Sequence, residues 1–151
     1  MASDDGGGLE VLDTEECLRL LATQVIGRLG LPGERFPLIL PVNYKLDRGV
    51  IVFRTHAGSA LATADHTNVA FEVDEIDRKT RSGWSVLVHG LAEAVTEAHQ
   101  TDLVERTQAT GVKPWAPGEH GRWMRLIPQE ISGRRIAAGQ LPSLLEMSAY
   151  L

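Results

Sequence analysis

The chain has 151 residues, 43% of them hydrophobic and 23% charged, with a formal net charge of -5, which suits one packed domain and is not the composition of a disordered chain. An acidic balance without a run of Lys or Arg excludes the electrostatic footprint of a nucleic-acid binder, and no window approaches the roughly eighteen apolar residues that span a bilayer.

The first residues, Met1 to Gly8, are acidic and glycine-rich and lack the charge and apolar stretch of a signal peptide. Residues 1–9 therefore read as a disordered tail ahead of a single domain at 10–151. The lone Cys17 has no partner for an intrachain disulfide, which fits a reducing cytoplasm. Asp13 is placed to cap a helix from Thr14 to about Thr23, with Glu16 completing a capping box and Leu18, Leu21 and Ala22 on one face. Val25 to Leu31 and Pro37 to Leu46 predict a hairpin around Pro32-Gly33, with Pro41 marking an edge, bulge or bend. The β-branched run Val50 to Thr55 is a third strand, Gly58 to Ala64 a short helix, and Asn68 to Asp77 a fourth strand with Val69, Phe71 and Val73 on one face.

After the polar connection Arg78 to Gly83, the stretch Trp84 to Val95 is nearly free of polar interruption and predicts a central strand buried on both faces. His89 on it reads as a hydrogen-bonded core or interface histidine. Thr96 is expected to cap a helix running to about Thr110 and stopped by Gly111; Lys113 to Gly118 must be loop, and Arg122 to Ile136 supplies a last strand or hairpin. The sum is a mainly β fold with flanking helices, an antiparallel split barrel of about six strands, since parallel units would need longer crossovers.

Most catalytic constellations are absent. The five histidines and one cysteine show no metal-ligand spacing. Ser85 follows Gly83-Trp84, but Leu87 stands where a nucleophile elbow needs glycine. No side chain reads as a general acid or base, Tyr44 and His56 being the nearest candidates for a proton donor. Where the third strand meets the short helix, Arg54, Thr55 and Ser59 converge with helix-start amides, which makes a candidate phosphate cradle. The alternative is an exposed strand-end arginine beside a helix capped by its own loop.

The succession GRLGL, PLILPVNYKLDRGVIVFRTHAGSALATA, NVAFEVDEID, SGWSVLVHGLAEAV, KPWAPGEHGRWMRLIP and ISGRRI, over about residues 10 to 137, resembles the flavin-binding split barrels related to pyridoxamine phosphate oxidase. The likeness is closest to actinobacterial-style members. It implies FMN, its phosphate held at Arg54, Thr55, Ser59, Ala60 and Leu61. It further implies that the isoalloxazine lies against Val42 and Asn43 and near Ser82, Gly83, Trp84 and Ser85. A homodimer with the pocket at the subunit interface is implied too, with Trp115, Trp123 and Arg125 as candidates for reaching across it. Many members place a lysine directly after the Gly-Ser pair, where Ala60 stands here. A lost charge-assisted hydrogen bond is worth about 1.5–3 kcal/mol, roughly ten- to a hundredfold in affinity. The expected activity is that of an FMN-dependent oxidoreductase on a small-molecule substrate. Alternatives are storage or sensing of a flavin, deazaflavin or haem by the same fold, and a cofactor-free interaction module.

Overall fold

The computed structural model describes residues 9–138 and the backbone of Ser3–Asp4. The Asp13 carboxylate accepts the Glu16 backbone N–H at 2.9 Å and starts helix α1, Thr14–Leu21. Glu16 is taken up elsewhere: Arg19 donates to it at 2.6 and 2.7 Å and Arg135 at 2.5 Å, hydrogen bonds that lower its pKa to about 2. The helix buries Cys17, Leu20 and Leu21 against the sheet.

In chain order the strands are β1 (Ser3–Asp4), β2 (Leu9–Leu12), β3 (Ile26–Leu31), β4 (Leu38–Asn43), β5 (Lys45–Asp47), β6 (Val50–Thr55), β7 (Thr67–Asp77), β8 (Ser82–Ala94) and β9 (Arg122–Ile136). A 3-10 turn occupies Ala60–Ala64, and helix α2 spans Thr101–Ala109. All pairings are antiparallel. The main path is β1-β2-β9-β8-β7-β3-β4, and β6 joins β9 with β5 on its far side. The architecture is thus the expected split barrel, with nine strands where about six were foreseen; the surplus includes the two-residue β1 and the three-residue β5. The expected disordered tail at 1–9 lies largely outside the described residues; where it is described it is strand, the backbone of Ser3–Asp4 pairing with Val11 and Glu10 and Leu9 opening β2 opposite Ile136.

β9 has β8 along one edge. Its other edge is shared, Arg122–Leu126 pairing with β6 and Gly133–Ile136 with β2. Between the two halves the ladder to β8 shifts, His89 facing Glu130 and Gly90 facing Pro128. Pro128 has no N–H to donate, so a bulge belongs there. Gly90 is required opposite it, because a Cβ would lie 2.1 Å from the Ile127 carbonyl oxygen. The bend wraps the sheet around Leu29, Phe53, Phe71, Val86, Val88, Met124 and Leu126, all fully buried.

Three expectations change. The long second strand breaks at Tyr44, whose N–H donates to Val25 O while its ring enters the core and its hydroxyl donates to Leu21 O at 2.5 Å. β8 is not buried on both faces: residues alternate, and His89 points outward, 52% exposed, 3.5 Å from Glu130. Its apolar outward residues, Leu87 and Leu91, conceal the alternation in the sequence. Thr96 accepts the Ala98 N–H and caps a turn rather than α2, which starts only at Thr101.

A buried cation holds α2 to the sheet. The Arg125 side chain, 4% exposed, donates to Asp47 at 2.8 Å and to the Thr107 hydroxyl at 2.7 Å, and Arg106 donates to the same carboxylate at 3.3 Å. Burial pushes the Asp47 pKa up, but the hydrogen bonds from Arg125 and Arg106 outweigh it and hold the carboxyl below its ordinary range. No helix among the described residues is long and apolar enough to cross a membrane.

Removing Arg125 leaves the Asp47 carboxylate only the longer hydrogen bond from Arg106 and the buried Thr107 hydroxyl only its bond to Leu103 O. Arg125→Ala is expected to lower unfolding free energy by about 1.5–3 kcal/mol in urea titrations at neutral pH. Because the folded-state pKa of Asp47 is lowered, its contribution is present above its unfolded pKa and fades as pH falls through the folded one. The gap between wild type and variant should therefore narrow on acidification. A gap of under about 1 kcal/mol at neutral pH would show that the network contributes little.

Candidate functional site

Alternation along β6 sets the chemistry of its end. Phe53 and Thr55 face the core, and Arg54 faces the segment 112–121 that follows α2. The Arg54 guanidinium donates to His120 O at 2.9 Å and to Val112 O at 3.4 Å, and lies 4.6 Å from the ring centroid of Trp123, its partner in the ladder. Two of its five N–H donors are thereby used. Thr55 and Ser59 share a short hydroxyl-to-hydroxyl hydrogen bond, and Ser59 accepts the Ala62 N–H at 3.3 Å as cap of the 3-10 turn. Ala60 begins that turn and is exposed, while Leu61 packs partly on the core. His56 follows with its ring 5.9 Å from that of His120.

The same segment reaches β4. Asn43 accepts the Trp115 N–H at 2.8 Å and donates to Val25 O at 3.3 Å. Val42 beside it is buried, and the Trp115 side chain is 71% exposed. Arg54, Thr55, Ser59, Ala60, Leu61, Asn43 and Trp123 thus belong to one end of the barrel, linked through residues 112–121. The remaining expected residues do not join them. Gly83, Trp84 and Ser85 pair with Ile136, Arg135 and Arg134 at the opposite end of β9. Trp123 and Ile136 are separated by about 40 Å of strand at roughly 3.3 Å per residue.

That second end is hollow. A cavity of about 770 Å³ is lined by Glu75, Trp84 and Arg135 among others, and one of about 470 Å³ by Arg78, Arg81, Ser85, Arg134 and Ile136. Ser82, Gly83 and Trp84 border both. Trp84 accordingly serves two roles at once, 8% exposed in the core cluster and lining each cavity. Gly83 admits no side chain, since a Cβ would lie 2.4 Å from the Glu75 carbonyl oxygen. Arg135 is a structural ion-pair residue, held by Glu10 at 3.3 Å and by Glu16.

Two sequence candidates are corrected. Arg125 is buried against Asp47 and Thr107 of its own chain and has no reach across an interface. Tyr44 is no proton donor to a ligand: its hydroxyl serves Leu21 O, and burial raises the phenol well above its ordinary pKa. Arg78 and Arg81 are additions that the sequence reading passed over as a polar connection. The available signal was a basic four-residue turn directly before SGWS. Among the described residues no group of three or more His, Cys, Asp and Glu is placed to hold a metal ion.

The family model of pyridoxamine 5'-phosphate oxidase matches residues 13–135. An uncharacterized protein of Mycobacterium tuberculosis strain H37Rv is 32% identical over 133 residues, 84% of this chain and 85% of its own length. Among solved structures, an FAD binding protein from Mycobacterium smegmatis shares 33% identity with a TM-score of 0.71, over 84% of this chain and 99% of its own. A candidate pyridoxamine 5'-phosphate oxidase from Corynebacterium glutamicum shares 29% identity with a TM-score of 0.72, over 91% and 100%.

Because Arg54 holds residues 112–121 through backbone carbonyls, Arg54→Ala should free that segment. Amide hydrogen exchange within 112–121 is expected to rise at least about tenfold, with the β7–β8 ladder unchanged. Unaltered exchange in the segment would assign its anchoring to Asn43 and not to Arg54.

Proposed function

Because the chain belongs to the pyridoxamine 5'-phosphate oxidase family, we propose that it binds a flavin nucleotide between two copies of itself and acts as a flavin-dependent oxidoreductase on a small molecule. The observation that carries this reading is the division of the expected site between the two ends of β9. One end offers a cation and hydroxyls, the other an apolar surface around Trp84. A single copy does not bring them onto one ligand, whereas a two-fold axis that sets the start of one β9 against the end of the other does.

The residues present fit such a group. Arg54 keeps N–H donors for phosphate oxygens after serving His120 and Val112. Thr55 and Ser59 lie beside it, and Ala60 leaves room without adding charge. The ring would lie against Val42 and Asn43 of one copy and Ser82, Gly83, Trp84 and Ser85 of the other, with Trp123 of the first stiffening Arg54 from below. A bound flavin supplies hydride and electron transfer. The chain's own contribution is to anchor the phosphate, hold the ring and keep water from it; among the described residues no side chain is set for proton transfer.

FMN is the part these residues address, and it is the half that FAD also contains. The 33% identity to an FAD binding protein supports a flavin of either length. A second reading, flavin storage without turnover, is favoured by Ala60 and by the local hydrogen bonds that already engage Thr55 and Ser59. A cytoplasmic location belongs to the same reading, and Cys17 as a buried free thiol supports it.

Titration of the purified protein with FMN and FAD, followed by flavin fluorescence, is expected to show saturable binding, with Arg54→Ala weakening it about ten- to a hundredfold. Sedimentation should give a dimer. A protein that leaves both flavins free at millimolar concentration overturns the reading, and a monomer that binds flavin one to one overturns the shared site. Bound flavin that reduced nicotinamides never bleach would favour storage.

A further inference from the structure

Two of the five histidines differ from the others in what they face. His66, His89 and His99 each lie against a carboxylate, Asp65 at 3.1 Å, Glu130 at 3.5 Å and Glu93 at 3.5 Å. Among the described residues His56 and His120 are not ion-paired and face each other instead, with ring centroids 5.9 Å apart and planes at 70°. Each Nδ1 lies 3.0 Å from a carbonyl oxygen of its own segment, Ala57 O for His56 and Gly118 O for His120. A carbonyl only accepts, so both rings carry their proton on Nδ1. The neutral ring then has a bare lone pair on Nε2, and neither Nε2 has a hydrogen-bond partner among the described residues.

Main-chain contacts hold both histidines in place. His56 O accepts the Ser59 N–H at 3.2 Å and the Thr55 hydroxyl at 3.4 Å, and His120 O accepts the Arg54 guanidinium at 2.9 Å. An imidazole bound through Nε2 to zinc at about 2.1 Å puts its centroid about 3.2 Å from the ion. Two such rings have centroids about 5.2 Å apart at a tetrahedral angle and about 6.4 Å apart when opposed. The observed 5.9 Å falls between. Two protein ligands leave the other positions of a tetrahedral ion open, and Arg54 decides what enters them. Its guanidinium, already bonded to His120 O, repels a bare dication, whereas an anion placed between the two charges attracts both.

We propose that His56 and His120 hold a zinc-type divalent ion through Nε2, and that this ion takes a phosphate oxygen of a ligand that Arg54 also contacts, so that metal and phosphate bind as a pair. Imidazole selects zinc, nickel or copper over magnesium and calcium, which demand oxygen ligands. That the phosphate belongs to a flavin rests on the reading given above, and the metal site does not.

The test is calorimetric titration of tag-free protein with zinc chloride, alone and with methyl phosphate. Zinc is expected to bind at one ion per chain, and magnesium at the same concentration to give no heat. Methyl phosphate should tighten zinc at least about fivefold, and zinc should tighten methyl phosphate by the same factor. His56→Gln and His120→Gln should each weaken zinc at least about tenfold, whereas His66→Gln and His89→Gln leave it unchanged. In the unsubstituted chain zinc should shift the ring resonances of His56 and His120 in NMR spectra, a readout that does not depend on any variant's folding. Zinc bound as tightly by the double His56→Gln, His120→Gln variant overturns the site, and so do ring resonances that stay in place at saturating zinc. Zinc held by the pair without coupling to methyl phosphate overturns the paired anion. FMN titrations on the same samples keep the two readings apart. Coupled zinc and methyl phosphate in a protein that leaves FMN free upholds the site and removes only its link to flavin. FMN binding with no response to zinc does the reverse.

Discussion

Hydrogen bonding along β9 is the constraint from which the rest of the molecule follows. This strand of fifteen residues pairs with β8 from Met124 to Ile136 on one edge, and its other edge is divided between β6 and β2. A flat sheet would leave β6 and β2 in line; the bulge at Gly90 and Pro128 turns the second half of β9 away from the first. Each half then gathers its own helix. α2 closes over the first through Arg125 and Asp47, and α1 over the second through Glu16 and Arg135. The two contacts differ in kind: the first is buried and the second partly wet, so the first half depends more heavily on its ion pairs.

The same strand keeps two chemistries apart. Polar donors collect where β6 ends, and an apolar hollow opens where β8 begins. A ligand with a charged end and a flat apolar end meets both only if a second copy turns one end of the barrel toward the other. The flavin reading and the dimer are therefore one hypothesis in two parts, joined by the length of a strand.

What the sequence disclosed follows from how locally each feature is encoded. Asn68 to Asp77 was legible because its inward residues recur at every second position, and Val50 to Thr55 because a β-branched run is bounded by turn signals. Arg54, Thr55 and Ser59 were legible as a cluster because six residues of chain contain them. β8 misled because Leu87 and Leu91 are apolar on its outer face, which erases the period-two contrast. Arg125 misled because a charged residue in a strand reads as solvent-facing until its partners from a distant turn and helix are in place. The arginine-lined cavity was hidden for a related reason: Arg134 reaches Arg78 and Arg81 only through the register of β8 on β9, and short motifs carry no register.

The anchoring of residues 112–121 has a consequence for how this protein can change over generations. Arg54 grips that segment at the carbonyls of Val112 and His120, and Asn43 grips it at the Trp115 N–H. Both clasps hold main-chain atoms, which nearly every amino acid supplies alike. Apart from the buried Val112, the side chains of the segment are thus released from the task of holding it in place. Mutation can exchange them while the loop keeps its path, and selection gains a stretch beside the barrel mouth on which new preferences can be tried without endangering the fold.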